Sequence, residues 1–335
     1  MWPGIKPEPA GPLAVAVKSK SDPAPVPLKV PLKLRLKAWW EGCDVIVHQR
    51  EAEAAPMAAP LPRRVIDYRD PDRPWQTPRA KLACMLWGEG FSHPGDTEHV
   101  LQLVKPFALD PAMTVVDLCA GLGGGARAIV EEFGVWVSGM EPDPELAEAG
   151  MQISTKAGLA KKAAITQYDP AALDIRAGTV DCFLCRQLLH RVEDKPRFLR
   201  AVDRALKGRG QVVLTDYMLA DPSRAESPAI KAWRDCEGVP LHLWTVEQHA
   251  AAFKQEGLEV RVTEDMTAPY RSMVLNGWAA LTAATDGASL APELIRALVD
   301  ELERWTRRIA ALESGDVKLV RFYALKDNGI RALSG

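Results

Sequence analysis

No apolar run in these 335 residues approaches the roughly 20 that a membrane-spanning helix needs, and Met1-Trp2-Pro3-Gly4 opens no signal-peptide pattern. The expectation is a cytoplasmic protein. Charge of one sign is lacking too: 42 basic residues stand against 44 acidic ones, so the global basic excess of a nucleic-acid-binding chain is missing and no nucleic-acid partner is expected. Cysteine is sparse, with six residues scattered along the chain. Cys182 and Cys185 fall inside a strand-like run, where an odd spacing sends them to opposite faces, which argues against a metal or redox pair. No internal repeat is visible. The glycine-rich stretch described below lacks a Gly-Lys-Ser/Thr ending, which excludes a P-loop.

Proline, by contrast, is concentrated: residues 1–80 hold 14 of the 26, many in Ala/Pro/Lys runs that cannot form regular helix, so this segment is expected to be an extended Pro-rich, basic tail or linker. Within it, Leu28 to Trp40 alternates apolar residues with Lys29, Lys33, Arg35 and Lys37. One face of that stretch suits an acidic membrane surface or self-association, and the alternative is that it packs on its own domain. From Lys81 the composition turns globular, and 81–335 is read as a single domain.

That domain is organised around Val115-Val116-Asp117-Leu118-Cys119-Ala120-Gly121-Leu122-Gly123-Gly124-Gly125. Thr114 to Leu118 has the β-branched look of a buried parallel strand, and Ala126, Ile129, Val130 and Phe133 then recur at helical spacing until Gly134 stops the helix. A strand, a glycine turn and a helix pointing free N–H groups at a polar ligand form a nucleotide site. Val135 to Met140 reads as the next strand, and Glu141 ends it 24 residues after Asp117, where a doubly wound fold places the carboxylate that binds ribose hydroxyls. A carboxylate at Asp117 would repel a pyrophosphate but suit an amine, which tilts the reading from NAD toward S-adenosylmethionine.

Further strands are expected at 163–168, 180–185 and 211–214, separated by helical patterns, so the fold class is α/β with a Rossmann-like doubly wound sheet. Its ligand-facing strand ends carry Asp117, Glu141, Asp169, Arg186 and Tyr217. Beyond the fifth strand, helical elements at about 218–250 and 265–312 should cap the acceptor pocket. Leu294, Leu298, Leu302, Trp305 and Ile309 make the stripe of a long helix, and a last strand is expected at 317–325. Phe91, Trp87, Tyr217, Trp244 and Tyr270 are either ring faces around a cationic or sulfonium ligand or ordinary aromatic core.

Four segments resemble the class I S-adenosylmethionine-dependent methyltransferases, and among them the phosphoethanolamine N-methyltransferases: Trp87 to Gly95, Val115 to Gly125, Leu188 to Pro196, and Val213 to Tyr217. The resemblance implies that Asp117, Gly121, Gly123, Glu141, Asp169 and Arg186 bind S-adenosylmethionine. It also implies that His190 is catalytic and that Phe91, Gln187 and Tyr217 face a small-molecule substrate. Three departures stand out. Phe91 replaces a tyrosine that pairs with the histidine, Gln187 replaces an aspartate that faces the substrate amine, and no basic residue matches the phosphate grip near Val239-Pro240-Leu241-His242. Loss of the tyrosine implies either a substrate that needs no strong base or a repositioned dyad. The competing class is a non-catalytic or lipid-surface protein that kept the cofactor pocket.

Overall fold

The computed structural model describes residues 64–327; the tail stretch at residues 28–40 lies outside them. Seven strands form one sheet in the order β4-β3-β2-β5-β6-β9-β7. They are β2 (Thr114–Asp117), β3 (Trp136–Glu141), β4 (Ala163–Gln167), β5 (Val180–Arg186), β6 (Leu206–Leu219), β7 (Leu258–Asp265) and β9 (Val317–Lys326). The first five in this list run parallel, whereas β9 slots antiparallel between β6 and β7. This is the Rossmann-like α/β sheet expected from the alternation of strands and helices, with β6 longer than expected because its outer half pairs with β9.

Alternation of side chains along the central strands divides the core into two layers. Val115, Cys182 and Leu184 face the side covered by α2 (Thr97–Val104) and α3 (Gly124–Phe133). Val116, Phe183 and Cys185 face the side covered by α5 (Lys195–Ala205) and α7 (Val246–Gln255). Cys182 and Cys185 thus lie on opposite faces, and among the described residues no group of side chains is arranged to hold a metal ion. Helix ends follow their cap residues. Gly134 closes α3 with φ +71°, its N–H on the Val130 carbonyl, and Asp143 accepts two N–H bonds at the start of α4 (Pro144–Lys156). A capping box between Thr245 and Gln248 starts α7.

The folded body begins ahead of Lys81. β1 (Val65–Ile66) pairs with β8 (Ser289–Leu290), Gln76 is buried with its amide on the Tyr68 carbonyl, and Thr77 caps α1 (Pro78–Trp87). The cap beyond β6 consists of α6 (Pro228–Glu237), α8 (Thr267–Ala284) and α9 (Pro292–Glu313), with α9 packed on α6 and α1, and α1 packed on α8. None of the described helices is long and apolar enough to cross a membrane.

Gly277 sets the distance between α8 and α1. A Cβ there would stand 2.5 Å from the Trp87 ring and 2.7 Å from the Leu86 carbonyl oxygen, so only hydrogen fits. Alanine in a helix gains about 1 kcal/mol in propensity, but forcing the helices apart costs about 1–3 kcal/mol, and the clash with backbone cannot relax by a rotamer change. Gly277→Ala is therefore expected to destabilise the protein by about 1–2 kcal/mol in urea unfolding; an unchanged or raised midpoint would refute the packing argument.

Candidate active site

The carboxyl ends of β2, β3, β5 and β6 converge on the turn that follows β2. Asp117 is fully buried at the end of β2, and Arg186, ending the neighbouring β5, donates to its Oδ2 at 3.0 Å. The Arg186 Nε, also buried, has no partner. Glu141 ends β3, and its two oxygens are taken by backbone: Oε2 accepts the Gly121 N–H at 2.7 Å and Oε1 the Asp143 N–H at 3.0 Å. Burial pushes its pKa up to about 7, against the pull of those two N–H groups.

Gly121 and Gly123 both take left-handed backbone, at φ +56° and +77°. A Cβ on Gly121 would fall 1.7 Å from the Ser92 Oγ, because the segment after α1 lies across the turn, tied by the Gly90 carbonyl accepting the Gly124 N–H at 2.8 Å. In that segment the His93 ring meets Ser92 Oγ at 3.1 Å, and burial holds its pKa well below the ordinary imidazole range. Asp169, after β4, is exposed and accepts the Ala171 N–H at 2.9 Å. The chain thus brings Asp117, Gly121, Glu141 and Arg186 into one buried cradle, with Asp169 beyond the end of β4, the strand next to β3.

His190 sits in a short turn after β5 and is almost wholly buried. It is not alone. Asp216, on β6, accepts the His190 backbone N–H at 3.0 Å through Oδ2 and meets Nδ1 at 2.6 Å through Oδ1. That carboxylate fixes the proton on Nδ1 and leaves the lone pair on Nε2, which is buried without a partner. Burial lowers the His190 pKa below its ordinary value, only partly offset by Asp216. Burial raises the Asp216 carboxyl, but the His190 ring, His249 and the Tyr217 N–H together more than offset it, so the net shift is downward.

Rings enclose this pair. Tyr217 stands edge-on to His190 at 5.0 Å and Trp233 lies 6.0 Å away, while the Tyr217 hydroxyl shares a 2.7 Å hydrogen bond with that of Tyr270. Trp233 donates to Glu237 Oε2 at 2.7 Å, and Glu237 also receives Arg308 and Arg191. Gln187 takes left-handed backbone at φ +48° and donates its amide to Thr215 Oγ1 at 2.8 Å. A non-glycine residue there is strained by about 1–3 kcal/mol, a cost that structures tolerate mainly at functional positions.

Of the substrate-side residues read from the sequence, Tyr217 and Gln187 reach the strand ends beside His190. Phe91 packs instead with the layer under α2 and α3, and Trp244 lies under the Lys195 ammonium at 4.8 Å on the other core face. Sequence reasoning missed Asp216, Trp233, Glu237 and Arg308. For Asp216 a signal existed: an acid at the carboxyl end of the strand next to the one that carries His190. The partnership of Trp233, Glu237 and Arg308 joins two cap helices and has no local signature.

Residues 96–262 match the model of a methyltransferase-domain family. The matched segment is a methyltransferase domain, and its fold is that of the class I S-adenosylmethionine-dependent methyltransferases. Within that class it resembles the phosphoethanolamine N-methyltransferases: phosphoethanolamine N-methyltransferase 3 of Arabidopsis thaliana is 26% identical over 182 residues, 54% of this chain and 36% of that protein. The chain thus spans little more than a third of that relative's length. Among solved structures, Haemonchus contortus phosphoethanolamine N-methyltransferase 2 in complex with S-adenosyl-L-methionine superposes with a TM-score of 0.65 at 21% identity, over 76% of this chain and 58% of that one. A putative sarcosine dimethylglycine methyltransferase from Galdieria sulphuraria gives 0.62 at 17% identity, over 74% of this chain and 98% of that one.

Glu141 is expected to make cofactor affinity depend on pH. If its ionised carboxylate accepts the ribose hydroxyls, binding should lower its pKa from about 7 and release a proton. Affinity for S-adenosylhomocysteine should therefore be near full at pH 8 and fall by roughly tenfold from pH 8 to pH 6. Calorimetry in buffers of different ionisation enthalpy measures both quantities. Glu141→Ala should bind roughly ten- to hundredfold more weakly, through lost charge-assisted hydrogen bonds, with the pH dependence gone.

Proposed function

We propose that the protein transfers the methyl group of S-adenosylmethionine to a small-molecule acceptor, with His190 taking the acceptor's proton. The observation that carries this reading is the buried, unpartnered Nε2 of His190, with Asp216 fixing its tautomer from behind.

The cradle fits the cofactor. Glu141 offers carboxylate oxygens to ribose hydroxyls, Gly121 and Gly123 allow close approach of the chain, and the free Nε of Arg186 suits the carboxylate of the methionine part. Asp117 holds Arg186 in place, and Asp169 would meet the adenine amine. When bound, the cofactor supplies a methyl group on a positively charged sulfur, open to in-line attack. The chain's own contribution is to orient the acceptor, exclude water with the rings of Tyr217, Trp233 and Tyr270, and hold a neutral imidazole against the acceptor's proton.

Because burial lowers the His190 pKa, its neutral form is already dominant at pH 7. Turnover should rise with pH only below about 6.5 and stay flat above it, as far as this group controls the rate. His190→Ala should lower kcat by about 10²–10⁴-fold while S-adenosylhomocysteine affinity changes little. Asp216→Asn, which leaves the ring present but frees its tautomer, should lose activity on the same scale. Full activity of His190→Ala on the accepted substrate would overturn the assignment of the base.

A further inference from the structure

We infer that the acceptor is an uncharged aromatic hydroxyl compound, methylated on oxygen, rather than a phosphorylated or cationic amine. The inference rests on the methyltransferase reading above and adds the acceptor class. It starts from which charges at the strand ends are already engaged.

A zwitterion such as phosphoethanolamine brings a cation and a dianion into the site, and each needs a protein counter-charge when water is expelled. The buried carboxylates here are held by other groups. Asp117 has Arg186, Glu141 has two backbone N–H groups, and Asp216 has the backbone N–H and ring Nδ1 of His190 together with the Tyr217 N–H. Glu237 has Arg308, Arg191 and the Trp233 indole. The residue that follows β5 is the neutral Gln187, whose amide is turned to Thr215.

Apart from Arg186, whose free Nε is reserved for the cofactor's carboxylate, the cations beside His190 are engaged as well. Arg308 forks onto both oxygens of Glu237, and Lys195 donates to the Val192 and His242 carbonyls while its ammonium lies over the Trp244 ring. What remains free beside the catalytic turn is a lone pair on a neutral imidazole, flanked by rings. A free acceptor among buried rings suits a neutral, apolar-bodied molecule with one O–H donor better than a charged one.

The acidity fits too. An aryl hydroxyl has a pKa of about 10, within a few units of an imidazole, so proton transfer can accompany attack, whereas an aliphatic hydroxyl is a far weaker acid. In the step, the O–H proton passes to His190 Nε2 and an oxygen electron pair forms the O–CH3 bond. The C–S bond breaks with its pair going to sulfur, leaving neutral S-adenosylhomocysteine and an aryl methyl ether. The imidazolium, paired with Asp216, then returns the proton to water. A thioether acceptor has no proton to lose and would leave the His190–Asp216 pair without a task.

The test uses the full chain and S-adenosylmethionine at pH 7.5, with catechol, hydroquinone and 2-naphthol on one side and phosphoethanolamine, dimethylglycine and dimethyl sulfide on the other. S-adenosylhomocysteine formation is followed for each. At least one aryl hydroxyl should turn over with kcat/KM tenfold or more above every member of the second group. Its product should be an O-methyl ether by mass spectrometry. Gln187→Asp should shift the ratio toward dimethylglycine by tenfold or more. Faster turnover of any member of the second group, or no turnover of any aryl hydroxyl by protein shown calorimetrically to bind S-adenosylhomocysteine, overturns the acceptor class and leaves the methyltransferase reading standing. Failure to bind S-adenosylhomocysteine overturns both.

Discussion

The site depends on one buried anion. Asp216 has no access to water, and a carboxylate in that position survives only when every strong acceptor site is met. The chain meets them with the His190 backbone, the His190 ring and the Tyr217 backbone. The same three bonds that make the anion tolerable also lock the turn after β5 onto β6 and set the imidazole tautomer. Stability and chemistry therefore share one set of contacts. His242 tightens the arrangement from outside, its N–H on the His190 carbonyl and its own carbonyl receiving Lys195. Lys195 accepts a pKa lowered by burial to about 8 to do so.

A second buried anion organises the cap. Glu237 ends α6 and ties it to α9 through Arg308, while its bond to Trp233 fixes a ring that faces His190. Two guanidiniums and the Trp233 indole hold its pKa down to about 2 in spite of burial. The cap helices are thus positioned by a charge network and not by apolar packing alone, and the wall of the acceptor site inherits its rigidity from that network.

Much of the fold was legible because it is written in local pattern. The β-branched run before the glycine turn, the helical spacing from Ala126 to Phe133 and the stop at Gly134 each depend on residues within a few positions of one another. The neighbourhood of Asp117 and Glu141 was legible for a related reason: they end adjacent parallel strands, and the spacing of a strand-helix-strand unit carries that adjacency. The His190–Asp216 pair was not, since it joins residues 26 apart through strand register, and a one-residue shift would have turned Asp216 to the other face. Residues 64–80 were assigned to the tail because their prolines resemble those before them. Yet Gln76 and Trp75 are held by contacts with Tyr68, Lys156 and the α1–α4 layer, which composition does not reveal.

The antiparallel seat of β9 bears on how such a chain assembles. β6 carries Asp216, and the register that sets Asp216 opposite Val320 and Tyr217 opposite Leu319 joins segments about a hundred residues apart. Until residues 317–326 leave the ribosome, one edge of β6 has only solvent to bond with and lies open to mispairing. The parallel half of the sheet, with the cofactor cradle, has all its strands by then. Synthesis would thus build the half that carries Asp117 and Glu141 first and complete the His190–Asp216 side last, so a ligand that binds the early half would be placed to act as a chaperone for the late one.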